Sequence, residues 1–109
     1  MLNRAYLGAI CAAICVLMLV AVFHRVRAED AAAQGERVYE NYCATCHGDQ
    51  LQNNSGGLTF DLRRLRSDEY PRFVSSVTNG KNRMPPWKGV LTATQVDQIW
   101  AYIRSNDTR

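Results

Sequence analysis

The chain has 109 residues, which gives room for one compact domain of ordinary size and argues against a multi-domain protein. Its formal net charge is +3 at pH 7, but the residues after position 28 carry 10 basic and 10 acidic side chains and no net charge. Nucleic-acid binding generally requires net positive charge, so we do not expect it here.

The first 28 residues differ in composition from the rest, because Ala5 to Phe23 runs nineteen positions without a charged side chain. Two interpretations remain open. Arg4 in a basic leader and the small residue Ala28 are typical of a signal peptide that is cleaved after export. The same apolar run is close to the ~20 residues that span a bilayer, which is typical of a retained anchor. We predict that residues 1–28 are a signal peptide or a membrane anchor, and that residues 29–109 form a domain outside the cytoplasm.

The remainder of the chain predicts helices separated by loops, and no strand pattern appears. The first helix is expected over Ala31 to Tyr42, with Asp30 as its N-cap and apolar residues at helical spacing. Residues 48–60 are polar and rich in Asn, Ser and Gly, which is typical of a loop. Three helices with long loops make a thin core, so we expect a bound group to complete it.

The middle helix is predicted to begin at Ser67 or Asp68, either of which can serve as its N-cap. Pro71 then lies in the first turn, where proline is favoured, and Asn79-Gly80 ends the helix. The side chains expected to be buried are Phe73, Val74 and Val77.

The final helix is the best-specified element of the sequence. Thr92 and Gln95 have the T-x-x-Q spacing of a capping box. Apolar side chains then recur at i, i+3, i+4 and i+7 and form one stripe. They are Val96, Ile99, Trp100 and Ile103. Before this helix, residues 81–90 are expected to form a loop that Pro85-Pro86 stiffens.

Cys43-Ala44-Thr45-Cys46-His47 has the C-x-x-C-H spacing of c-type haem attachment, in which two thiols add to the haem vinyl groups and the His reaches the iron. A zinc site usually has four ligands, whereas two Cys and one His follow position 28. A disulfide or a thioredoxin-like pair needs no His and lacks a βαβ context here. We therefore predict one covalently bound haem c, attached through Cys43 and Cys46, with His47 as an iron ligand.

Met84 is the single Met after position 28, and two prolines follow it in an otherwise polar loop. A lone Met is ordinarily core filler. Here a stiff backbone would hold the thioether at a fixed distance from the iron, so we predict Met84 as the second axial ligand. Thioether ligation favours ferrous iron, and a His/Met pair leaves no open position for O₂ or substrate. The predicted chemistry is outer-sphere electron transfer, and we do not expect an enzyme.

Residues 34–105 resemble a class I c-type cytochrome, the family of mitochondrial cytochrome c and its bacterial relatives. Gly35 and Tyr39 resemble the Gly and the aromatic residue with which that family crosses its terminal helices, and Ile99 and Tyr102 resemble their partners. The resemblance implies a small all-α fold in which three main helices wrap around one covalent haem, here preceded by a hydrophobic N-terminal segment. Residues 29–109 would then be a cytochrome c domain.

A second resemblance is to the cytochromes that serve quinoprotein alcohol dehydrogenases. It rests on residues 57–63, on Asn79-Gly80 and on Met84-Pro85-Pro86-Trp87. Those relatives tend to have a proline whose carbonyl bonds the proximal His, and Phe60 stands at that position here, so its carbonyl would accept from His47. The resemblance also implies that Arg63 neutralises a haem propionate and that Trp87 belongs to the haem site. The alternative for Arg63 is a surface arginine in a basic run.

We interpret the chain as a periplasmic one-electron carrier that accepts electrons from a quinoprotein dehydrogenase and passes them toward a terminal oxidase. One alternative is the cytochrome subunit of a membrane-bound dehydrogenase complex, attached to the inner membrane through residues 5–23. Another is a haem-based gas sensor that loses Met84. The expected partners are redox proteins. The basic stretch from Arg63 to Lys88 is either a docking patch for an acidic partner or a solvated face.

Overall fold

A computed structural model describes residues 3–107, and of Ala5 only the backbone. Its helices are α1 (Arg4–Tyr42), α2 (Ala44–His47), α3 (Tyr70–Asn79) and α4 (Ala93–Ser105), with short 3₁₀ turns at Asp49–Leu51, Leu62–Arg64 and Ser67–Glu69. Two isolated bridges pair Lys81 with Met84 and Lys88 with Leu91, and no strand occurs in the described part of the chain. The predicted all-α class is confirmed.

The chain divides into two compact units, Met1–Asp30 and Ala31–Arg109. The first unit exposes its large apolar side chains along the helix. Within residues 3–107, one helix, Tyr6–Tyr42, contains a stretch long and apolar enough to cross a membrane, a property that signal sequences share. The choice between a signal peptide and an anchor stays a prediction. The outer ends of the two predicted segments, residues 1–2 and 108–109, lie outside the described residues.

The predicted helix start at Asp30 was wrong, because α1 is helical from Arg4 to Tyr42. Residues 9–34 contain neither Gly nor Pro, and Ala, Leu, Arg and Glu are good helix formers, so nothing in the local sequence ends the helix before position 30. A residue that is a good cap is not a cap when the residues before it are also helical.

The second unit is built on a close crossing of α1 and α4. A Cβ added to Gly35 would lie 1.8 Å from the backbone oxygen of Gln98, so only glycine permits this approach. Near the crossing, the fully buried ring of Tyr39 packs on Tyr102, with the ring centroids 5.5 Å apart. The predicted contact of Gly35 and Tyr39 with the last helix is confirmed by these distances, and Ile99 lies at the same crossing.

Helix α3 has the predicted proline in its first turn but not the predicted caps. Ser67 and Asp68 lie inside a 3₁₀ turn, where the Glu69 carboxylate accepts from the backbone N–H of Arg66 at 2.9 Å. The caps were misplaced because this short turn extends the helical region toward the N-terminus of α3. Phe73 and Val77 are buried as predicted, whereas Val74 is half-buried.

Helix α4 begins as the sequence predicts. The Thr92 hydroxyl accepts from the backbone N–H of Gln95 at 3.2 Å, and the Gln95 side chain accepts from the N–H of Thr92 at 2.9 Å. The buried side chains of the second unit form one core, against which half-buried residues such as Trp100 pack. The core consists of Tyr39, Ala44, Leu51, Leu65, Phe73, Val77, Leu91, Val96, Ile99, Tyr102 and Ile103.

Candidate haem-binding site

The C-x-x-C-H motif lies on the single turn of α2. Cys43 is the N-cap of this helix, and the backbone N–H of His47 donates to the Cys43 carbonyl at 2.9 Å. Residues i, i+3 and i+4 share one face of a helix, so one helical turn directs the side chains of Cys43, Cys46 and His47 to the same side. Both thiols are free of disulfides. This is the arrangement that attachment of a flat cofactor through both thiols requires.

The two thiols differ in exposure, because Cys43 is half-buried against the core while Cys46 is exposed. Burial, together with smaller contributions from the neighbouring Cys46 and Glu40, raises the pKa of the Cys43 thiol to about 12. The Cys43 thiol is therefore protonated at neutral pH.

The turn that carries the C-x-x-C-H motif is held in place by a contact with α1 and by a glycine. The Tyr39 hydroxyl donates to the Gly48 carbonyl at 2.6 Å, which ties the end of α2 to a fully buried ring. Gly48 has a φ of 88°, and a Cβ there would lie 1.9 Å from the backbone oxygen of Gln52. Glycine is therefore required immediately after His47 for the chain to turn back.

His47 is oriented by the loop that follows it. Nδ1 of its ring lies 3.2 Å from the carbonyl oxygen of Phe60, which is the contact expected from the sequence. A carbonyl can only accept, so Nδ1 carries the proton and donates, and in the neutral ring Nε2 keeps its lone pair. A hydrogen bond from the ring nitrogen that does not bind the metal fixes the tautomer and the ring orientation of a ligating histidine. The loop is itself tied to the turn, since the Thr59 hydroxyl donates to the Cys46 carbonyl at 3.1 Å.

Met84 is held in a tight loop at the end of α3. Its backbone N–H and carbonyl exchange hydrogen bonds with Lys81 at 2.9 and 3.0 Å, and its side chain is half-buried against the core. A Cβ on Gly80 would lie 2.6 Å from the Met84 carbonyl oxygen, so the glycine permits the close return of the chain. The N–H of Trp87 donates to the carbonyl of Val77 at 2.9 Å and fixes the loop to α3.

Trp87 joins this loop to the attachment turn. Its ring packs edge-on against Tyr42, with the ring centroids 5.5 Å apart, and Tyr42 directly precedes Cys43. The structure therefore brings the predicted residues Cys43 and Trp87 into one neighbourhood.

Arg63 has a partner within its own turn. Its guanidinium forms a two-pronged contact with the Asp61 carboxylate, with both N···O distances at 3.0 Å. These hydrogen bonds lower the pKa of Asp61 from its ordinary value. The contact with a haem propionate stays a prediction, and it would require the guanidinium to share or leave Asp61.

Three contacts at this site were not anticipated from the sequence. They are the ring packing of Tyr42 on Trp87, the bond from Thr59 to Cys46, and the guanidinium of Arg72 over the ring of Phe60. Each joins residues that are 12 or more positions apart and belong to different elements. No local spacing rule links such pairs, so only the fold could identify them.

The donor set fits a c-type haem. Two thiols and an imidazole with a free Nε2 occupy one turn, and a thioether stands in a fixed loop. A haem also requires apolar surface, and the second unit leaves large apolar side chains exposed. These are Tyr42, Leu58, Phe60 and Val90. Within the described residues no cluster of three or more His, Cys, Asp and Glu side chains suits a bare metal ion.

Sequence comparison agrees with this geometry. The family model for cytochrome c oxidase, cbb3-type, subunit III, matches residues 30–103. The chain belongs to this family of c-type cytochromes. It is therefore an electron-transfer haem protein of class I, and its family implies covalently bound haem c and redox proteins as partners.

The relatives of this cytochrome range from short carriers to large enzymes. It is 35% identical over 71 residues to the quinohemoprotein alcohol dehydrogenase ADH-IIG of Pseudomonas putida, a match that covers 63% of the chain and 10% of that protein. It is 33% identical over 75 residues to cytochrome c6 of Leptolyngbya boryana, covering 66% and 88%. It is 32% identical over 79 residues to the cbb3-type cytochrome c oxidase subunit FixP of Bradyrhizobium sp. (strain ORS 278), covering 68% and 27%. No solved structure matches.

Proposed function

We propose that this cytochrome carries single electrons on one haem that is attached through Cys43 and Cys46, with His47 and Met84 as the axial ligands. The observation that carries the proposal is the position of His47. Its Nδ1 donates to the Phe60 carbonyl, so the opposite nitrogen, Nε2, is available on the side chain that follows the two thiols. When bound, the haem supplies an iron that alternates between the ferric and ferrous states.

The protein side chains restrict what that iron does. A soft thioether from Met84 favours the ferrous state, and filling both axial positions leaves none for a substrate. The loop that holds Met84 is bonded to α3 through Val77 and Thr78, so the ligand is kept in place by backbone rather than by its own flexible side chain. We infer a carrier that catalyses no reaction of its own.

We further propose a quinoprotein dehydrogenase as the donor and a terminal oxidase as the acceptor, in the periplasm. Similarity to a quinohemoprotein alcohol dehydrogenase supports the donor, and similarity to a cbb3-type oxidase subunit supports the acceptor. The apolar N-terminal helix supports export, with residues 1–28 as the leader or anchor and residues 29–109 as the cytochrome domain. The proposed roles of Arg63 and Trp87 are to neutralise a propionate and to close the haem site.

Mass spectrometry and redox titration of the exported protein test this function. The chain is expected to carry the mass of one haem bound to a peptide containing Cys43 and Cys46, and the haem should be reduced by a candidate dehydrogenase within stopped-flow times. A stable exported chain without haem would contradict the cofactor assignment. Slow reduction by every quinoprotein dehydrogenase from the source organism would contradict the assignment of the donor but not that of the cofactor.

A second candidate function is that of a cytochrome subunit in a membrane-held complex. It is favoured by the helix Tyr6–Tyr42, which is apolar enough to span a bilayer if it is retained. Detergent extraction followed by purification of the tagged chain distinguishes the two. Stable co-purification with a dehydrogenase or an oxidase supports the subunit, and release as a lone soluble chain supports the carrier. A spectrum that changes under carbon monoxide would instead favour a gas sensor.

A further inference from the structure

The hydrogen bond from His47 is accepted by Phe60, a residue whose φ angle is not locked by a ring as that of proline is. The Phe60 carbonyl lies 3.2 Å from Nδ1 of His47, within a segment, residues 52–61, that contains no helix. A proline would fix φ near −65°, whereas phenylalanine leaves φ free to rotate. If the carbonyl is to stay on the imidazole, another part of the fold must hold residue 60.

Hydrogen bonds hold the peptide that precedes Phe60, but the carbonyl of Phe60 belongs to the peptide that follows this residue. The Thr59 hydroxyl donates to the Cys46 carbonyl at 3.1 Å, and the Thr59 carbonyl accepts from the Asn53 amide at 2.9 Å. These bonds fix the peptide between residues 59 and 60. The orientation of the next peptide, which carries the Phe60 oxygen, follows from φ and ψ of Phe60 itself.

The side chain of Phe60 is held by Arg72. The guanidinium carbon of Arg72 lies 5.0 Å from the centroid of the Phe60 ring, within the range of a cation–π contact. The same guanidinium donates to the Glu69 carboxylate, which restrains it from the other side. Helix α3 is anchored in the core through Phe73 and Val77, so the ring of Phe60 rests against a fixed part of the fold.

We propose that Arg72 is a positioning residue for His47. By holding the ring of Phe60 it restrains the backbone of that residue, and so keeps the Phe60 carbonyl on Nδ1 of the imidazole. The proposal rests on the proposed function, in which His47 binds the haem iron. A hydrogen bond at Nδ1 makes a ligating imidazole more basic, which stabilises ferric iron. Loss of Arg72 should therefore loosen that bond and raise the reduction potential.

The test uses the holoprotein and two readouts, the solvent exchange rate of the His47 Nδ1 proton by NMR and the reduction potential. Loss of an exposed cation–π contact changes an equilibrium constant about two- to fivefold. Arg72→Ala is expected to speed the exchange by that factor and to raise the potential. Phe60→Leu removes the ring and should have the same effect. Adding Arg72→Ala to Phe60→Leu should then change neither readout.

Two further variants separate positioning from a general effect on stability. Arg66→Ala is the matched control, because Arg66 forms an exposed ion pair with Asp68 and no cation–π contact among residues 3–107; both readouts should stay at wild-type values. Phe60→Pro fixes φ covalently, and the N–H of Phe60 donates no hydrogen bond within the described structure. In that background Arg72→Ala should have no effect.

Equal effects of Arg72→Ala with and without Phe60→Leu would overturn the proposal, because Arg72 would then act only through Glu69 on α3. An unchanged exchange rate in Arg72→Ala, or the same change in Arg66→Ala, would also overturn it. The wild-type spectrum reports the underlying function separately. Ring protons of an iron-bound His47 carry large haem-induced shifts, and their absence would remove the ligand assignment and the proposal with it.

Discussion

The haem site has two sides that are held in different ways. The attachment side, residues 43–61, is tied together by side-chain bonds such as those from Tyr39 to Gly48 and from Thr59 to Cys46. The Met84 loop, residues 81–90, is held by backbone bonds to α3 and by one aromatic contact, Trp87 on Tyr42. We infer that the attachment side secures the cofactor, while the Met84 loop sets its potential and meets its partners.

The attachment side and the Met84 loop also differ in how their positive charges are paired. Three arginines near the attachment side are in ion pairs with neighbouring acids, namely Arg63 with Asp61, Arg66 with Asp68 and Arg72 with Glu69. The cations of the Met84 loop, Lys81, Arg83 and Lys88, are exposed and form no ion pair with any residue from 3 to 107. The stretch from Arg63 to Lys88 thus has three paired arginines in its first part, while the cations of the Met84 loop are available to a partner.

The largest expected effect is on the attachment side. Cys43→Ala or Cys46→Ala should leave at most one thioether bond and lower the yield of folded holoprotein several-fold, because the haem completes a thin core. Mass spectrometry and the haem absorbance of the exported chain measure this. Cys11→Ala, which changes an exposed cysteine of the N-terminal helix, is the control and should keep the wild-type yield. A normal yield of doubly attached haem in either variant would contradict the assignment.

The crossing of α1 and α4 supports both sides of the haem site, so a substitution at the crossing should have an effect nearly as large. Gly35→Ala places a Cβ 1.8 Å from the Gln98 oxygen, and overpacking of this kind lowers the free energy of unfolding by about 1–3 kcal/mol. Denaturant unfolding of the holoprotein measures the loss. In the form of the protein that keeps residues 1–28, Gly8→Ala is a matched control, because its added Cβ meets no atom within 4 Å. Equal stability of the two variants would show that the crossing relaxes without cost.

Changing the Met84 loop should alter the potential and leave attachment intact. Met84→Ala should keep both thioether bonds, remove the weak band near the red end of the ferric spectrum, and lower the reduction potential on the order of 100 mV. Redox titration and mass spectrometry on one sample test both parts. An unchanged potential would mean that another residue is the second ligand. Loss of haem would mean that the two sides are not separable.

The smallest expected effect concerns docking. Reversing Arg83 and Lys88 to Glu should slow reduction by the donor about tenfold at low salt, and the dependence of the rate on salt should disappear. Unpaired charges near a partner act over ~8 to 10 Å at moderate salt, so the wild-type rate should fall as salt rises. Arg66→Glu, in the paired half, is expected to have little effect in the same stopped-flow series. A wild-type rate independent of salt would make the Met84 loop a solvated face.

Much of the fold follows from local sequence rules. Those rules predicted the structure correctly where all the interacting residues lie within one short segment. The capping box of Thr92 and Gln95 and the proline in the first turn of α3 are of this kind. The caps at Asp30, Ser67 and Asp68 were wrong, because whether a residue caps a helix depends on whether its neighbours are helical too. The contact of His47 with Phe60 was expected only because a family resemblance supplied it.

The sequence by itself determined the cofactor chemistry of this protein, since two thiols and an imidazole at fixed spacing on one helical turn allow few alternatives. It also determined that a glycine, Gly35, permits a helix crossing. The tertiary structure alone decided that Arg72 lies over Phe60 and that Trp87 packs on Tyr42. The reason is physical: attachment chemistry depends on neighbours along the chain, whereas these ring contacts depend on which elements packing brings together.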